Sequence, residues 1–261
     1  MSLDFTFNKF EELCGAISCS EYEKLNIREY LLRKEKPHKC LLLRHDIDAK
    51  IERVLRMAEI ENRHGISSTY YFRITDEVFK PDIIKKVKEL GHEIGYHYEV
   101  MDKAKGDPVK AINIFKQELG NLRNISQIDT ICMHGNSRTP WNNRELWKSY
   151  DFKDFGIIGE GYLTIDFKDI LYLSDTGRNW GNRFKVKDNI ENMDYIEILS
   201  KLKSTDDIIE IINQNKINKI YLLSHPRWVD SLYEWSSEFI FTNIKNLAKI
   251  GVKAYDRYKR V

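Results

Sequence analysis

Segments typical of β-strands alternate with segments of helical periodicity through most of this chain. Such alternation favours an α/β fold, with a parallel sheet or barrel built from βα units. The predicted strands are Lys39–Leu43, Ser68–Ile74, His92–His97, Ile128–Met133, Ile170–Leu173 and Lys219–Leu223. The predicted helices are one from Ile51 to near Gly65, one from Pro81 to near Gly91, and then Pro108–Leu122, Asp206–Asn215 and Ser237–Ala248.

A length of 261 residues is ample to bury a core, and the sequence contains no internal repeat or Pro/Gly/Ser-rich linker. We therefore expect a single domain over residues 1–261. The region 151–169 departs from the alternation, because Gly156, Gly159 and Gly161 predict turns or irregular β-structure. A local irregular insertion is expected there. No feature of the sequence sets an oligomeric state.

The charge of the chain is nearly balanced, with 42 Lys and Arg against 40 Asp and Glu and a formal net charge of +2. A protein without a strong positive field is not expected to bind nucleic acid or an anionic membrane surface.

The four cysteines are Cys14, Cys19, Cys40 and Cys132, and none of them forms a Cys-x-x-Cys pair. Isolated cysteines are typical of reduced thiols in the cytoplasm. The first twenty residues carry acidic side chains and no continuous apolar stretch, and no run in the chain approaches transmembrane length. A cytoplasmic protein without a signal peptide or membrane span is therefore predicted.

The first predicted strand ends in the polar cluster Arg44-His45-Asp46-Ile47-Asp48. Two carboxylates one residue apart at the rim of a parallel sheet repel each other unless a cation or a shared proton relieves them. Asp46 and Asp48 are therefore the first candidates for a metal-assisted active site. Arg44 has a simpler alternative role, which is to neutralise the pair.

Other predicted strands also end in polar residues, and the carboxyl ends of parallel strands share one face of a fold. His97, His134 and His225 each stand at such an end. Asp175 and Trp180 follow the fifth predicted strand, and Trp228 follows the sixth. Each of these has an ordinary alternative, since Asp175 with Gly177 can form a turn and the tryptophans can pack in the core.

Aspartate and histidine together suit a divalent ion, and Zn²⁺ is the ion that this combination favours. A carboxylate that does not bind the ion can accept the proton of an attacking water, and a histidine can protonate a leaving amine. The residues therefore predict hydrolysis of an amide or ester, but they do not identify the substrate.

The order of these motifs resembles that of the polysaccharide deacetylases, carbohydrate esterase family 4. The resemblance spans about Leu41 to Trp228, and its most specific part is Gly91-His92-Glu93-Ile94-Gly95-Tyr96-His97. It implies a distorted (β/α) barrel of about seven parallel strands that acts on an N-acetylated carbohydrate.

The resemblance also implies a role for each polar residue. Asp46 would be the catalytic base and His225 the general acid. Asp48 and His97 would bind the metal, and His134 is the candidate third ligand. Asp175 and Trp180 would shape the acetyl pocket, and Trp228 is a further candidate for substrate binding.

Two positions depart from the family pattern. The second metal histidine of the family is expected four residues after His97, where this chain has Met101, a poor ligand for Zn²⁺. The arginine that orients the base is also displaced, since His134 occupies its approximate place. Arg138 lies a few residues further on and is a candidate substrate-binding residue, and Arg44 could orient the base instead.

The residues together with the resemblance predict a metal-dependent hydrolase that removes an N-acetyl group from a sugar, and a precursor of a surface glycan is a candidate substrate. Two alternatives stay open. The protein could hydrolyse another non-peptide C–N bond on the same scaffold, or it could be a catalytically silent carbohydrate-binding protein.

Overall fold

The strands of this protein form one parallel sheet in the computed structural model, which describes residues 3–180, 190 and 193–241. Their bounds are β1 Glu23–Leu25, β2 Cys40–Ile47, β3 Thr69–Phe72, β4 Glu93–Tyr98, β5 Thr130–Met133, β6 Gly159–Glu160, β7 Leu171–Ser174 and β8 Lys219–Ser224. Seven strands follow the order β6-β5-β4-β3-β2-β8-β7, and β1 pairs with the first half of β2. The predicted barrel of about seven parallel strands is confirmed.

The sheet curls strongly between β2 and β6. In a flat sheet these two strands, four steps apart, would be separated by about 19 Å. Arg44 of β2 nevertheless donates a hydrogen bond of 2.8 Å to the hydroxyl of Tyr162, which directly follows β6. The curvature thus closes the sheet around the side chains of its concave face.

Helices connect most of the strands and cover the convex face of the sheet. Their bounds are α1 Phe7–Cys19, α2 Ile27–Leu32, α3 Ile51–Arg63, α4 Pro81–Glu89, α5 Val100–Lys103, α6 Pro108–Arg123, α7 Ile196–Lys201, α8 Thr205–Gln214 and α9 (residues 232–241). The helices predicted from Ile51, from Pro81, over Pro108–Leu122 and over Asp206–Asn215 are confirmed. The predicted helix Ser237–Ala248 corresponds to α9, which begins earlier, and its part from residue 242 lies outside the described residues.

Helix α1 was not predicted, although its pattern is regular. Thr6 caps it by accepting a hydrogen bond from the backbone N–H of Lys9, and Phe10, Leu13 and Ile17 are buried at helical spacing. It packs against α3 and α8 on the convex face. Strand β6 lies at one end of the sheet, within the region 151–169 where turns or irregular β-structure are predicted.

Strand β2 continues through the polar cluster to Ile47, four residues beyond its predicted end. Because side chains alternate along a strand, Leu42, Arg44 and Asp46 share the concave face, whereas Leu43 and His45 lie on the convex one. The apolar clusters agree, since Leu42 packs in one and Leu43 in the other. The fold thus separates Arg44 and Asp46 from His45.

No helix within the described ranges combines the length and the apolar character needed to cross a bilayer.

Candidate active site

Arg44 and Asp46 form a buried ion pair inside the curled sheet. Arg44 Nε lies 2.7 Å from Asp46 Oδ1, and Nη2 lies 2.5 Å from Oδ2. The arginine is held in turn by the hydroxyls of Tyr162 and Tyr221. Burial opposes the charge on Asp46, but Arg44 and His97 more than offset this effect and lower the pKa of its carboxyl. Asp46 is thus ionised and fixed in orientation by an arginine from its own strand.

Asp48, His97 and His134 bring three potential metal ligands to one point. Asp48 Oδ1 is 3.0 Å from His134 Nδ1 and 3.3 Å from His97 Nε2, and the two imidazole nitrogens are 3.3 Å apart. His97 is at the end of β4 and His134 directly follows β5, the neighbouring strand. His134, the candidate third ligand, therefore lies beside Asp48 and His97.

This donor set fits a divalent ion such as Zn²⁺. Ligand atoms bound tetrahedrally about 2.0–2.1 Å from zinc lie about 3.3 Å from one another, close to the separations above. Asp48 Oδ1 is buried and accepts no well-aligned hydrogen bond. His97 Nδ1 lies 3.0 Å from the carbonyl oxygen of Cys132, so Nε2 is the nitrogen directed at the set.

The charges of the site also favour a cation between these ligands. Burial opposes the charge on Asp48, but His134 and His97 more than offset it and hold the pKa of the carboxyl well below its usual value. Burial likewise opposes a charge on His134, and Asp48 overcomes it and raises the pKa of the imidazole. The carboxylate thus attracts positive charge, which a bound metal ion would supply.

A second group of possible ligands consists of Asp46, His97 and Cys132. Both oxygens of Asp46 already accept hydrogen bonds from Arg44, whose positive charge would repel a cation at this place. The set built on Asp48 is therefore the better candidate metal site.

Met101 stands where the family pattern has a histidine, and its side chain packs in the apolar core. It belongs to the short helix α5 and is buried in the apolar core. The amide oxygen of Asn143 accepts a hydrogen bond from the backbone N–H of Met101, and the amide nitrogen donates one to the carbonyl of His134. Asn143 thus fixes the backbone that presents His134, and no sequence pattern predicts this role.

His225 faces the donor set from β8, the neighbour of β2 on the other side. Its Nε2 is 3.7 Å from Asp48 Oδ2, and its Nδ1 is 2.5 Å from Asp175 Oδ1. Asp175 is fully buried and also accepts a hydrogen bond from the backbone N–H of His225. Burial lowers the pKa of the imidazole, but Asp175 more than offsets this and raises it. The structure thus places Asp175 behind His225 as its partner.

We expect Asp175→Asn to shift the alkaline limb of the activity profile to lower pH. Because Asp175 raises the pKa of His225, the protonated imidazole survives to higher pH in the parent. If His225 is the general acid, activity falls as pH rises through its pKa, and without Asp175 this fall comes earlier. A pH series of kcat would measure the shift. Asp206→Asn, at an exposed carboxylate that pairs with Lys9, is the control. An unchanged profile would remove His225 as the acid or Asp175 as its partner.

A cavity of about 880 Å³ opens over these groups and is lined by Asp48, His134 and His225. Arg138 lines it as well and is exposed. A volume near the upper end of the usual range for ligand sites is ample for a sugar. Arg73 also lines the cavity and donates a hydrogen bond to the backbone oxygen of Asp48. Sequence reasoning missed Arg73, although it follows β3 and so satisfies the same strand-end rule.

Trp180 and Trp228 do not line the cavity. Both are fully buried and pack on Phe5 in the cluster of the convex face. Their indole nitrogens donate hydrogen bonds to Thr205 and Ser224. The structure brings together nearly all of the predicted polar site residues, but it places both tryptophans in the core, the alternative that the sequence left open.

Comparison with solved structures finds proteins of carbohydrate esterase family 4, the family that the motifs resemble. A pseudoenzyme of this family from Bacillus anthracis is 13% identical, with a TM-score of 0.40 over 82% of this chain and 62% of that one. The family 4 carbohydrate esterase PdaA from Bacillus subtilis is 14% identical, with a TM-score of 0.39 over 92% and 83%. The chain thus spans under two thirds of the pseudoenzyme. No protein-family model and no curated protein matches the sequence.

Proposed function

We propose that this protein is a metal-dependent hydrolase that removes the N-acetyl group of a sugar. One observation carries the proposal: the donor set of Asp48, His97 and His134 lies between Asp46 and His225. His97 Nε2 is 3.7 Å from Asp46 Oδ2 on one side, and Asp48 Oδ2 is 3.7 Å from His225 Nε2 on the other. This arrangement suits a reaction in which a proton is removed at one side and delivered at the other.

Each residue has a distinct part in the proposed reaction. Asp46 takes the proton of the water that attacks the acetyl carbonyl carbon, and Arg44 holds the carboxylate in place. His225 gives a proton to the leaving nitrogen as the C–N bond breaks, and Asp175 holds the imidazole. The products are acetate and the free amino sugar. A divalent ion, when bound by Asp48, His97 and His134, would polarise the carbonyl and acidify the nearby water.

The substrate class rests on the motif resemblance and on the lining of the cavity, most of whose residues are polar or charged. The expected partner is thus an N-acetylated carbohydrate, with no nucleic acid involved. The cytoplasmic location expected from the isolated cysteines is part of the proposal.

Metal binding tests the donor set directly. We expect the parent protein to bind one Zn²⁺ per chain, and Asp48→Ala, His97→Ala and His134→Ala each to weaken binding about 10- to 100-fold or more. Metal content after equilibrium dialysis would measure this. His38→Ala removes an exposed histidine far from the cavity and should bind as the parent does. Failure of the zinc-supplied parent to bind metal would contradict the proposal.

Acetate release tests the reaction. The metal-loaded protein would be incubated with N-acetylated sugars, free and phosphate- or nucleotide-linked, and acetate would be measured. Release that depends on Asp46 and His225 supports the proposal. Binding of a sugar without any release would favour the silent carbohydrate-binding alternative, and release of a different acid or of ammonia would favour another C–N hydrolase.

A further inference from the structure

Three cations lie within 3.8 Å of one carboxylate that the proposed reaction does not use, and a fourth lines the cavity with it. Lys50 precedes α3 and Arg53 lies in its first turn, whereas Arg178 follows β7 and Arg227 follows β8. Glu238 of α9 forms ion pairs with three of these residues. We refer to Lys50, Arg53, Arg178 and Arg227 as the cationic cluster.

The carboxylate of Glu238 lies close to three of these cations at once. Glu238 Oε1 is 2.8 Å from Arg53 Nη1 and 3.8 Å from Lys50 Nζ, and its Oε2 is 3.8 Å from Arg178 Nη1. Only the first of these distances is short enough for a hydrogen bond. Glu238 therefore forms a short ion pair with Arg53 and only long ones with Lys50 and Arg178.

Arg178 is the strongest sign that a ligand belongs here. Its side chain is only 5% exposed, and neither Nη1 nor Nη2 makes a hydrogen bond within the described residues. The guanidinium rests on the ring of Phe5, 5.2 Å from its centroid. A buried guanidinium without hydrogen bonds is costly unless something else accepts them. The same loss of hydration lowers the pKa of Arg178.

Arg227 adds a second cation. It lines the cavity, is partly exposed, and forms no ion pair in the part of the chain that the structure describes. Glu238 lines the same cavity and lies 3.8 Å from Arg178, so an anion that replaced this carboxylate would meet Arg178 and face the cavity that Arg227 lines. An anion with several oxygen atoms suits this place, because guanidinium groups bind phosphate in a forked geometry.

Two members of the cationic cluster, Lys50 and Arg227, line the same cavity as the candidate active site, and Arg53 and Arg178 lie behind Glu238, which lines it too. Asp48, His134 and His225 line it together with Lys50, Arg227 and Glu238. One molecule could therefore place its acetyl group at the first set of residues and an anionic group at the second.

We propose that the cationic cluster binds a phosphate group of the substrate, which is then a phosphorylated N-acetyl sugar. Glu238 occupies the place of the phosphate when none is bound. This inference rests on the proposed function for the identity of the sugar, but the phosphate site itself can be tested without it.

Binding of inorganic phosphate to the full chain tests the site by itself. We expect saturable binding by calorimetry in the metal-loaded protein and in His97→Ala, because the cluster does not depend on the metal. Arg178→Gln and Arg227→Gln should each weaken binding about 10- to 100-fold. Glu238→Gln removes the competing carboxylate and should strengthen it. Arg63→Gln, at the opposite end of α3 and about 15 Å along the helix from Arg53, is the matched control.

Turnover tests the substrate class. N-acetylglucosamine, its 1-phosphate and its uridine diphosphate ester separate neutral sugars, sugar phosphates and nucleotide-linked sugars. Arg227→Gln should raise KM about 10-fold or more for the phosphorylated sugars, with a much smaller change in KM for the neutral sugar. If Arg178→Gln does not fold, the phosphate affinity and the KM values of Arg227→Gln test the phosphate site without it.

The two proposals fail in different ways. Phosphate binding that depends on the arginines, without acetate release from any sugar, would overturn the proposed function and leave the phosphate site standing. Acetate release from the neutral sugar at the same kcat/KM as from its phosphates, with no effect of the arginine variants, would overturn the phosphate site alone. A weaker phosphate affinity in Glu238→Gln would show that Glu238 does not compete for the site.

Discussion

Asp46→Asn is expected to lower kcat for acetate release by about 10²- to 10⁴-fold, the usual contribution of a general base. Asparagine has nearly the same shape as aspartate and can still accept a hydrogen bond from Arg44, but its amide cannot take a proton from water. The substitution therefore removes the proposed chemistry with little change in shape. Because it also leaves the buried charge of Arg44 unpaired, urea denaturation of the variant is measured beside its kinetics. Steady-state kinetics on the metal-loaded variant would measure the loss.

The metal content of Asp46→Asn shows whether Asp46 acts as a base or as a metal ligand. Because the preferred donor set is built on Asp48, Asp46→Asn should bind as much metal as the parent. Loss of the metal would instead point to the group of Asp46, His97 and Cys132. An unchanged kcat would exclude Asp46 as the base. Asp206→Asn, which alters an exposed carboxylate outside the cavity, should leave both kcat and metal content unchanged.

Much of this site could be predicted from the sequence because it follows from local pattern and from one rule of topology. The apolar run into Arg44 predicts a strand, and parallel strands bring their carboxyl ends to one side. That rule places His97, His134 and His225 together without any knowledge of the strand order. It holds here because all of the strands of the described sheet are parallel.

The features of the site that the sequence does not predict depend on contacts between distant parts of the chain, which no local pattern encodes. Trp180 and Trp228 stand close behind strand ends, but after a turn the sequence does not show whether a side chain returns to the core or faces the cavity. Asp175 was assigned to the acetyl pocket, yet β7 lies beside β8 and brings this carboxylate against His225. Glu238 reaches the cationic cluster only because α9 folds back over the cavity.

Arg44→Met is expected to lower the free energy of unfolding by about 3–5 kcal/mol, the typical cost of leaving a buried charge without its partner. Arg44 is fully buried and Asp46 is 1% exposed, so neither charge can recover its hydration in the folded state. The hydroxyls of Tyr162 and Tyr221 would lose a hydrogen-bond donor as well. Urea denaturation at neutral pH would measure the change.

The double variant Arg44→Met/Asp46→Leu distinguishes the unpaired charge from the loss of packing. Replacing both members of a buried ion pair with apolar residues of similar size is often close to neutral, so the second substitution should restore most of the lost stability.

The loss of stability in the single variant Arg44→Met should also become smaller at acidic pH. Arg44 keeps the pKa of Asp46 low in the parent, and the pair therefore contributes stability above the unfolded pKa of aspartate, which is lost as pH falls through the lower folded value. In Arg44→Met the carboxyl can take up a proton in the folded state and so relieve the unpaired charge. A deficit that neither the second substitution nor acid reduces would mean that Arg44 stabilises the barrel through its tyrosine contacts, and the orienting role proposed for it would lose its energetic basis.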